Sequence, residues 1–175
     1  MAAVEASPAE LSLGPGAVIA AVNGPRSVVV SGDRAAVRRI CEEWSARGRR
    51  THVLRLDVAP HSPHFDALLD DYRRALEPLG LRAPRLPLLS DTTGEPVGAE
   101  AATPDFWVRA VRAPVLFTDA VGRLHRDGVT VCVEIGPADV LACMLDGCLP
   151  DGAERPLVLA VARNWQAARA EADIA

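Results

Sequence analysis

The chain has 175 residues, with 19 basic and 23 acidic side chains, a net charge of −4 and 49% apolar residues. That length suits one compact domain or two small lobes around a real core. The acidic balance excludes an extended nucleic-acid surface, which needs a clustered basic excess.

No apolar run approaches the roughly 18–20 residues that cross a bilayer, and no basic-then-apolar leader opens the sequence, so a cytoplasmic protein without membrane contact is expected. Every basic residue is Arg, a bias that dilutes the meaning of any single arginine. Cys41, Cys132, Cys143 and Cys148 form no C-x-x-C pair and have no zinc-like spacing from histidine. They are expected to be four small buried thiols that form no disulfide.

Residues 1–7 are a short Ala/Val-rich run expected at a sheet edge. Ser7, Pro8 and Glu10 have the order of a capping box with proline at the first helical position, and Gly14-Pro15-Gly16 keeps that helix short. Residues 17–22 and 27–30 are β runs joined by Asn23-Gly24-Pro25-Arg26, a hairpin signal. Asp33 can cap the next helix, in which Val37, Ile40, Cys41 and Trp44 recur at helical spacing up to a stop at Gly48. Residues 52–58 alternate as a strand. The order to residue 58 is β-α-β-β-α-β, the split βαβ pattern of a ferredoxin-like lobe.

Ser62 and Pro63 open a long helix expected over 62–79, with Phe65, Leu68, Leu69, Tyr72 and Leu76 on one face. Residues 85–90 read as a short strand and 95–103 as loop. Thr103 caps a helix carrying Phe106, Trp107, Ala110 and Val111, which Pro114 breaks. A helix over 115–127 places Val115, Ala120, Val121 and Leu124 inward. Residues 130–135 form a near-continuous apolar strand, expected to be buried in a parallel sheet. A helix over 138–149, a last strand over 157–161 and a polar, frayed tail from Asn164 complete the chain. The fold class is therefore α/β.

His61 lies between the strand ending at Val58 and the helix capped by Ser62, the kind of loop that carries catalysis on α/β folds. Imidazole exchanges a proton near neutrality and can serve as a base. A loop histidine that only packs or caps has the same signature. His61 and His64 with Asp57 or Asp66 supply metal-ligand types, but their spacing across a strand–helix junction is not a helical H-x-x-H face, so no metal site is expected. Helix starts at Asp33, Ser62 and Ala138 offer N–H groups to anions without any glycine-rich phosphate loop. The chain contains no G-x-S-x-G elbow. Its seven serines stand in contexts such as Arg26-Ser27-Val28, Val30-Ser31-Gly32 and His61-Ser62-Pro63. A nucleophile for His61 would come from another polypeptide or a preceding segment.

Several blocks in order and spacing carry a resemblance. They are Met1-Ala2-Ala3-Val4, the stretch from Ala20 to Asp33 through Asn23-Gly24-Pro25-Arg26, and Val58-Ala59-Pro60-His61-Ser62-Pro63-His64-Phe65-Asp66. Phe106-Trp107-Val108-Arg109, Arg112-Ala113-Pro114-Val115-Leu116-Phe117 and Val133-Glu134-Ile135-Gly136-Pro137-Ala138-Asp139-Val140-Leu141 follow. Together they resemble the acyltransferase domain of modular type I polyketide synthases, a relative of malonyl-CoA:acyl-carrier-protein transacylases used in antibiotic biosynthesis.

The resemblance implies a ferredoxin-like βαββαβ lobe at 1–58, the C-terminal part of an α/β-hydrolase-like core at 59–163, and a polar tail at 164–175. It implies a ping-pong transfer in which an elbow serine takes a malonyl-type acyl group from acyl-CoA. The serine then passes it to the phosphopantetheine thiol of an acyl carrier protein; the chain itself binds no cofactor. His61 falls on the histidine that activates serine and thiol. Ala110 falls near the position whose backbone carbonyl orients that histidine, where a polar side chain is usual. Val58, Ala59 and Pro60 fall on the selectivity motif. They match neither the His-Ala-Phe-His of malonyl-selective members nor the Tyr-Ala-Ser-His of methylmalonyl-selective ones. Pro60 in place of Phe removes bulk, so an α-substituted extender is expected.

The family's serine elbow and carboxylate-binding arginine lie upstream of the matched blocks. The chain is therefore expected to be the C-terminal portion of such a domain, inactive alone and dependent on a serine-bearing half. The alternative is a non-catalytic remnant or docking module.

Overall fold

The computed structural model is described over residues 1–161, and the chain divides into two compact units between Ala120 and Val121. The first unit opens with β1 (Ala2–Val4), a 3₁₀ turn at Pro8–Glu10, β2 (Ala17–Gly24), β3 (Ser27–Gly32), α1 (Arg34–Ala46) and β4 (Thr51–Val53). The strands form one antiparallel sheet in the order β2-β3-β1-β4. That is the ferredoxin-like lobe, with its first helix reduced to a single turn. Its core gathers Ala2, Val4, Val28 and Val30 from the sheet against Val37, Ile40, Cys41 and Trp44 of α1.

β1 is interior, between β3 and β4, rather than at the edge expected. The crossover through the Pro8–Glu10 turn carries the β2–β3 hairpin to one side of it, and β1 has none of the charges that protect an edge strand. Glu10's carboxylate accepts the Ser7 N–H at 2.8 Å, closing the turn as its sequence indicates. β2 carries register shifts between Ile19 and Ala21 and between Val22 and Gly24. At this edge Val115 donates its N–H to Ala20 and accepts from the Val22 N–H, at 2.9 and 2.8 Å.

The strand expected over 52–58 ends at Val53. β4 is the outer strand of the sheet, and just beyond it the Leu54 N–H reaches the Met1 carbonyl at 3.0 Å. Val53, Leu56 and Val58 are exposed. The helix expected over 62–79 is broken into a 3₁₀ segment Pro63–Leu68, α2 (Leu69–Leu76) and a 3₁₀ turn Glu77–Leu79. Pro78 cannot donate to a continuing helix, and Gly80 in the left-handed region ends it. Of its expected apolar face only Leu76 is buried. The strand expected at 85–90 is a single bridge, Leu89 to Pro96.

α3 (Pro104–Arg112) and α4 (Phe117–Arg126) are separated at Pro114, as the sequence implies. Arg112 pairs with Asp66 at 2.5 Å and Arg73 pairs with Asp105, joining the 63–76 segment to α3.

The second unit holds β5 (Val131–Glu134), α5 (Val140–Leu145), a 3₁₀ turn Asp146–Cys148 and β6 (Leu157–Ala160). β5 and β6 pair in parallel. The parallel pairing is as expected, but the burial is not. Val131, Val133, Leu157 and Leu159 are each roughly half exposed, because a two-stranded sheet leaves one face without a covering layer. The thiols also divide: Cys41 and Cys148 are buried, Cys132 is half-buried and Cys143 is exposed on short α5. The expected tail from Asn164 lies outside the described residues.

Candidate active site at His61

Sequence places His61 between two elements; the structure shows how tightly that junction is held. His61 is the only non-glycine residue at positive φ among the described residues, at 56°. For an L side chain this left-handed conformation costs about 1–2 kcal/mol. Four hydrogen bonds surround it. Ser31 Oγ donates to the Pro60 carbonyl at 2.8 Å and Ser62 Oγ donates to the Ala59 carbonyl at 2.6 Å. The His61 N–H donates to the Val111 carbonyl at 3.1 Å, and His61 Nδ1 meets the Ala113 carbonyl at 2.6 Å. At a net worth of about 0.5–1.5 kcal/mol apiece, these bonds offset the strain.

The Nδ1 contact decides the chemistry of the ring. A carbonyl oxygen only accepts, so Nδ1 carries the proton, and in the neutral imidazole Nε2 is left with its lone pair. The half-buried ring thus presents a base nitrogen away from its anchor.

The anchor is Ala113, which corrects the expectation for Ala110. Ala110 lies within α3, where carbonyls run along the helix axis. Ala113 follows the last helical residue and is extended, φ −72° and ψ 152°, as a residue preceding proline must be. Its carbonyl therefore turns out of the helix. The bridge of Val115 to β2 holds this short segment in place.

Val58 and Ala59 line an open groove of about 870 Å³ whose walls include Leu56, Phe65, Val37 and Arg34. Pro60 and His61 do not line it. His64 pairs with Asp33: its Nε2 lies 2.9 Å from Asp33 Oδ1, so the Asp33 side chain is engaged there and makes no cap to α1. Ser62 caps the 3₁₀ segment by accepting the His64 N–H at 3.3 Å. Among the described residues no three His, Cys, Asp or Glu side chains stand together as metal ligands. Sequence reasoning missed Ser31 and Ala113. The only sign of Ser31 was a hydroxyl in an otherwise apolar strand.

The acyl transferase domain model matches residues 1–170. The chain is 43% identical over 131 residues to polyketide synthase GfsA of Streptomyces halstedii, covering 75% of this chain and 2% of that protein. It is 39% identical over 149 residues to the spectinabilin polyketide synthase system protein NorB of Streptomyces orinoci, covering 83% and 7%. Among solved structures, the acyltransferase domain from the second module of the salinomycin polyketide synthase superposes with TM-score 0.80 at 40% identity, over 93% of this chain and 39% of that one. The acyltransferase domain of SpnD, solved in complex with 2-(pent-4-yn-1-yl)malonyl, gives TM-score 0.85 at 34% identity, over 93% and 40%. The chain therefore belongs to the acyl transferase domain family, and its relatives there are polyketide synthases.

Proposed function

We propose that this chain supplies the base of a polyketide-synthase acyl transfer, with His61 acting on a serine that lies outside these 175 residues. The observation that supports it is the Nδ1 anchor on Ala113, which leaves Nε2 to take a proton. In the first half-reaction Nε2 removes the serine proton as the oxygen attacks the thioester carbonyl of a malonyl-type acyl-CoA. The carbon–sulfur bond then breaks and the proton returns to the departing coenzyme A thiolate. In the second, Nε2 deprotonates the phosphopantetheine thiol of an acyl carrier protein, and the serine leaves with that proton.

The motif supports a reading of the extender. Val58 and Ala59 face the groove, and Pro60 stands where a bulkier Phe marks malonyl selection. An α-substituted malonyl unit fits this reading, and the complex formed by the SpnD domain is with such a unit. Pro60→Phe is expected to shift preference toward malonyl at least about threefold in competition; an unchanged ratio contradicts the assignment.

The test of the activity is reconstitution. The chain is mixed with a segment bearing the G-H-S-x-G elbow and radiolabelled methylmalonyl-CoA, and serine-linked label is measured before and after adding carrier protein. Label that transfers to the carrier protein and disappears with His61→Ala is the expected result. A folded mixture that acquires no label supports the second reading, a non-catalytic module.

A further inference from the structure

Ser31 takes no part in the chemistry above. It follows three valines on β3 and is fully buried, with no solvent contact of its own. A buried hydroxyl in such a strand must find an acceptor. The acceptor it finds is not in its own sheet but 29 residues along the chain, the Pro60 carbonyl at 2.8 Å.

That carbonyl belongs to the peptide unit joining Pro60 to His61. The same unit donates its N–H to Val111 at the end of α3. One peptide plane is therefore gripped at both ends, by β3 on its oxygen and by α3 on its nitrogen. Rotation of this plane about the His61 N–Cα bond is the torsion φ, which stands at 56°. Ser62 also holds the turn, but its bond to Ala59 is local, three residues away. Among the described residues, the Ser31 bond is the one that joins the turn's backbone directly to a strand of the ferredoxin-like sheet.

We propose that Ser31 is a positioning residue, whose hydroxyl fixes the Pro60–His61 peptide and thereby aims the imidazole at Ala113. Its contribution to catalysis rests on the reading of His61 as the acyl-transfer base. The clamp itself does not, and can be tested in the chain alone.

The experiment is amide hydrogen exchange by NMR on the full chain, with the His61 ring nitrogens recorded alongside. Ser31→Ala is expected to speed exchange of the His61 amide about tenfold beyond any change at Val37 and Ile40 of α1, and to mix the ring tautomers. Ser31→Thr, which keeps the hydroxyl, is expected to restore protection, and Ser90→Ala, a buried serine elsewhere, to leave His61 unchanged. Should Ser31→Ala not fold, Ser31→Cys replaces the hydroxyl by a weak donor of similar size and serves the same comparison. Equal acceleration at His61 and α1, or a Thr variant that behaves like Ala, overturns the clamp. In the reconstituted reaction Ser31→Ala is expected to lower kcat with KM for the acyl donor unmoved. Lost protection with undiminished kcat overturns Ser31 as a positioning residue for the reaction and leaves only a structural tie, whereas a folded parent mixture that transfers no label overturns the acyl-transfer reading.

Discussion

A histidine at positive φ is tolerated only where its neighbours insist on it, and at His61 they do so from β3, from α3 and from its own turn. Glycine at this position removes the strain of about 1 kcal/mol but also the Nδ1 bond of similar worth. His61→Gly is thus expected to unfold in urea within about 1 kcal/mol of the parent while abolishing transfer in the reconstituted mixture. His61→Val keeps the strain, adds a β-branched side chain and loses the bond, so a destabilisation of about 2 kcal/mol or more is expected. This residue stood out as a candidate from its loop context and the family resemblance. Its torsion and its partner were not, because both depend on where α3 ends and on a hydroxyl from a strand far earlier in the chain.

Burial sets the behaviour of another single residue. Desolvation raises the Cys41 thiol above its ordinary value of 9.0. In the unfolded chain the thiol ionises first, so stability is intact below about 9.0 and declines as pH rises through the higher folded value. Denaturation midpoints followed above pH 9 are expected to fall more steeply for the parent than for Cys41→Ala.

At the scale of elements, apolar burial and surface ion pairs carry unequal weight. Trp44 is the largest side chain α1 buries against the sheet, and Trp44→Ala is expected to cost about 3–5 kcal/mol. The Arg112–Asp66 pair is partly exposed and screened by solvent, and Arg112→Ala is expected to cost about 1 kcal/mol or less. Chemical denaturation of the two variants checks both. The elements best read from sequence were those governed by local pattern: α1 by its apolar period, the β2–β3 hairpin by its turn, and the α3–α4 break by Pro114. Those misread depend on distant partners. β1 is interior because of a crossover and β4 lies at the outer edge of the sheet and ends at Val53, whereas the 63–79 segment is divided into 3₁₀ and α pieces with Pro78 in its last turn. Gly32 shows the same dependence: a side chain there would run into the Gly16 carbonyl, so this approach of β3 to the residue before β2 requires glycine.

At the scale of the molecule, each unit has its own exposed apolar surface. In the second unit Val131 and Val133 pair in register with Leu157 and Leu159, so four apolar side chains share one open sheet face. A dye that fluoresces on apolar surfaces is expected to bind the chain, and Val133→Glu with Leu159→Glu to reduce that signal at least about twofold. The matched relatives are much longer; the salinomycin domain has this chain's likeness over 39% of its length. Family membership therefore explains the architecture, while the proposed activity rests on the geometry at His61. The most direct measurement of that geometry is the nitrogen spectrum of the His61 ring in the neutral form. A proton on Nδ1 and a bare Nε2 are predicted. A proton on Nε2, with Nδ1 unprotonated, would contradict the assignment of His61 as the base.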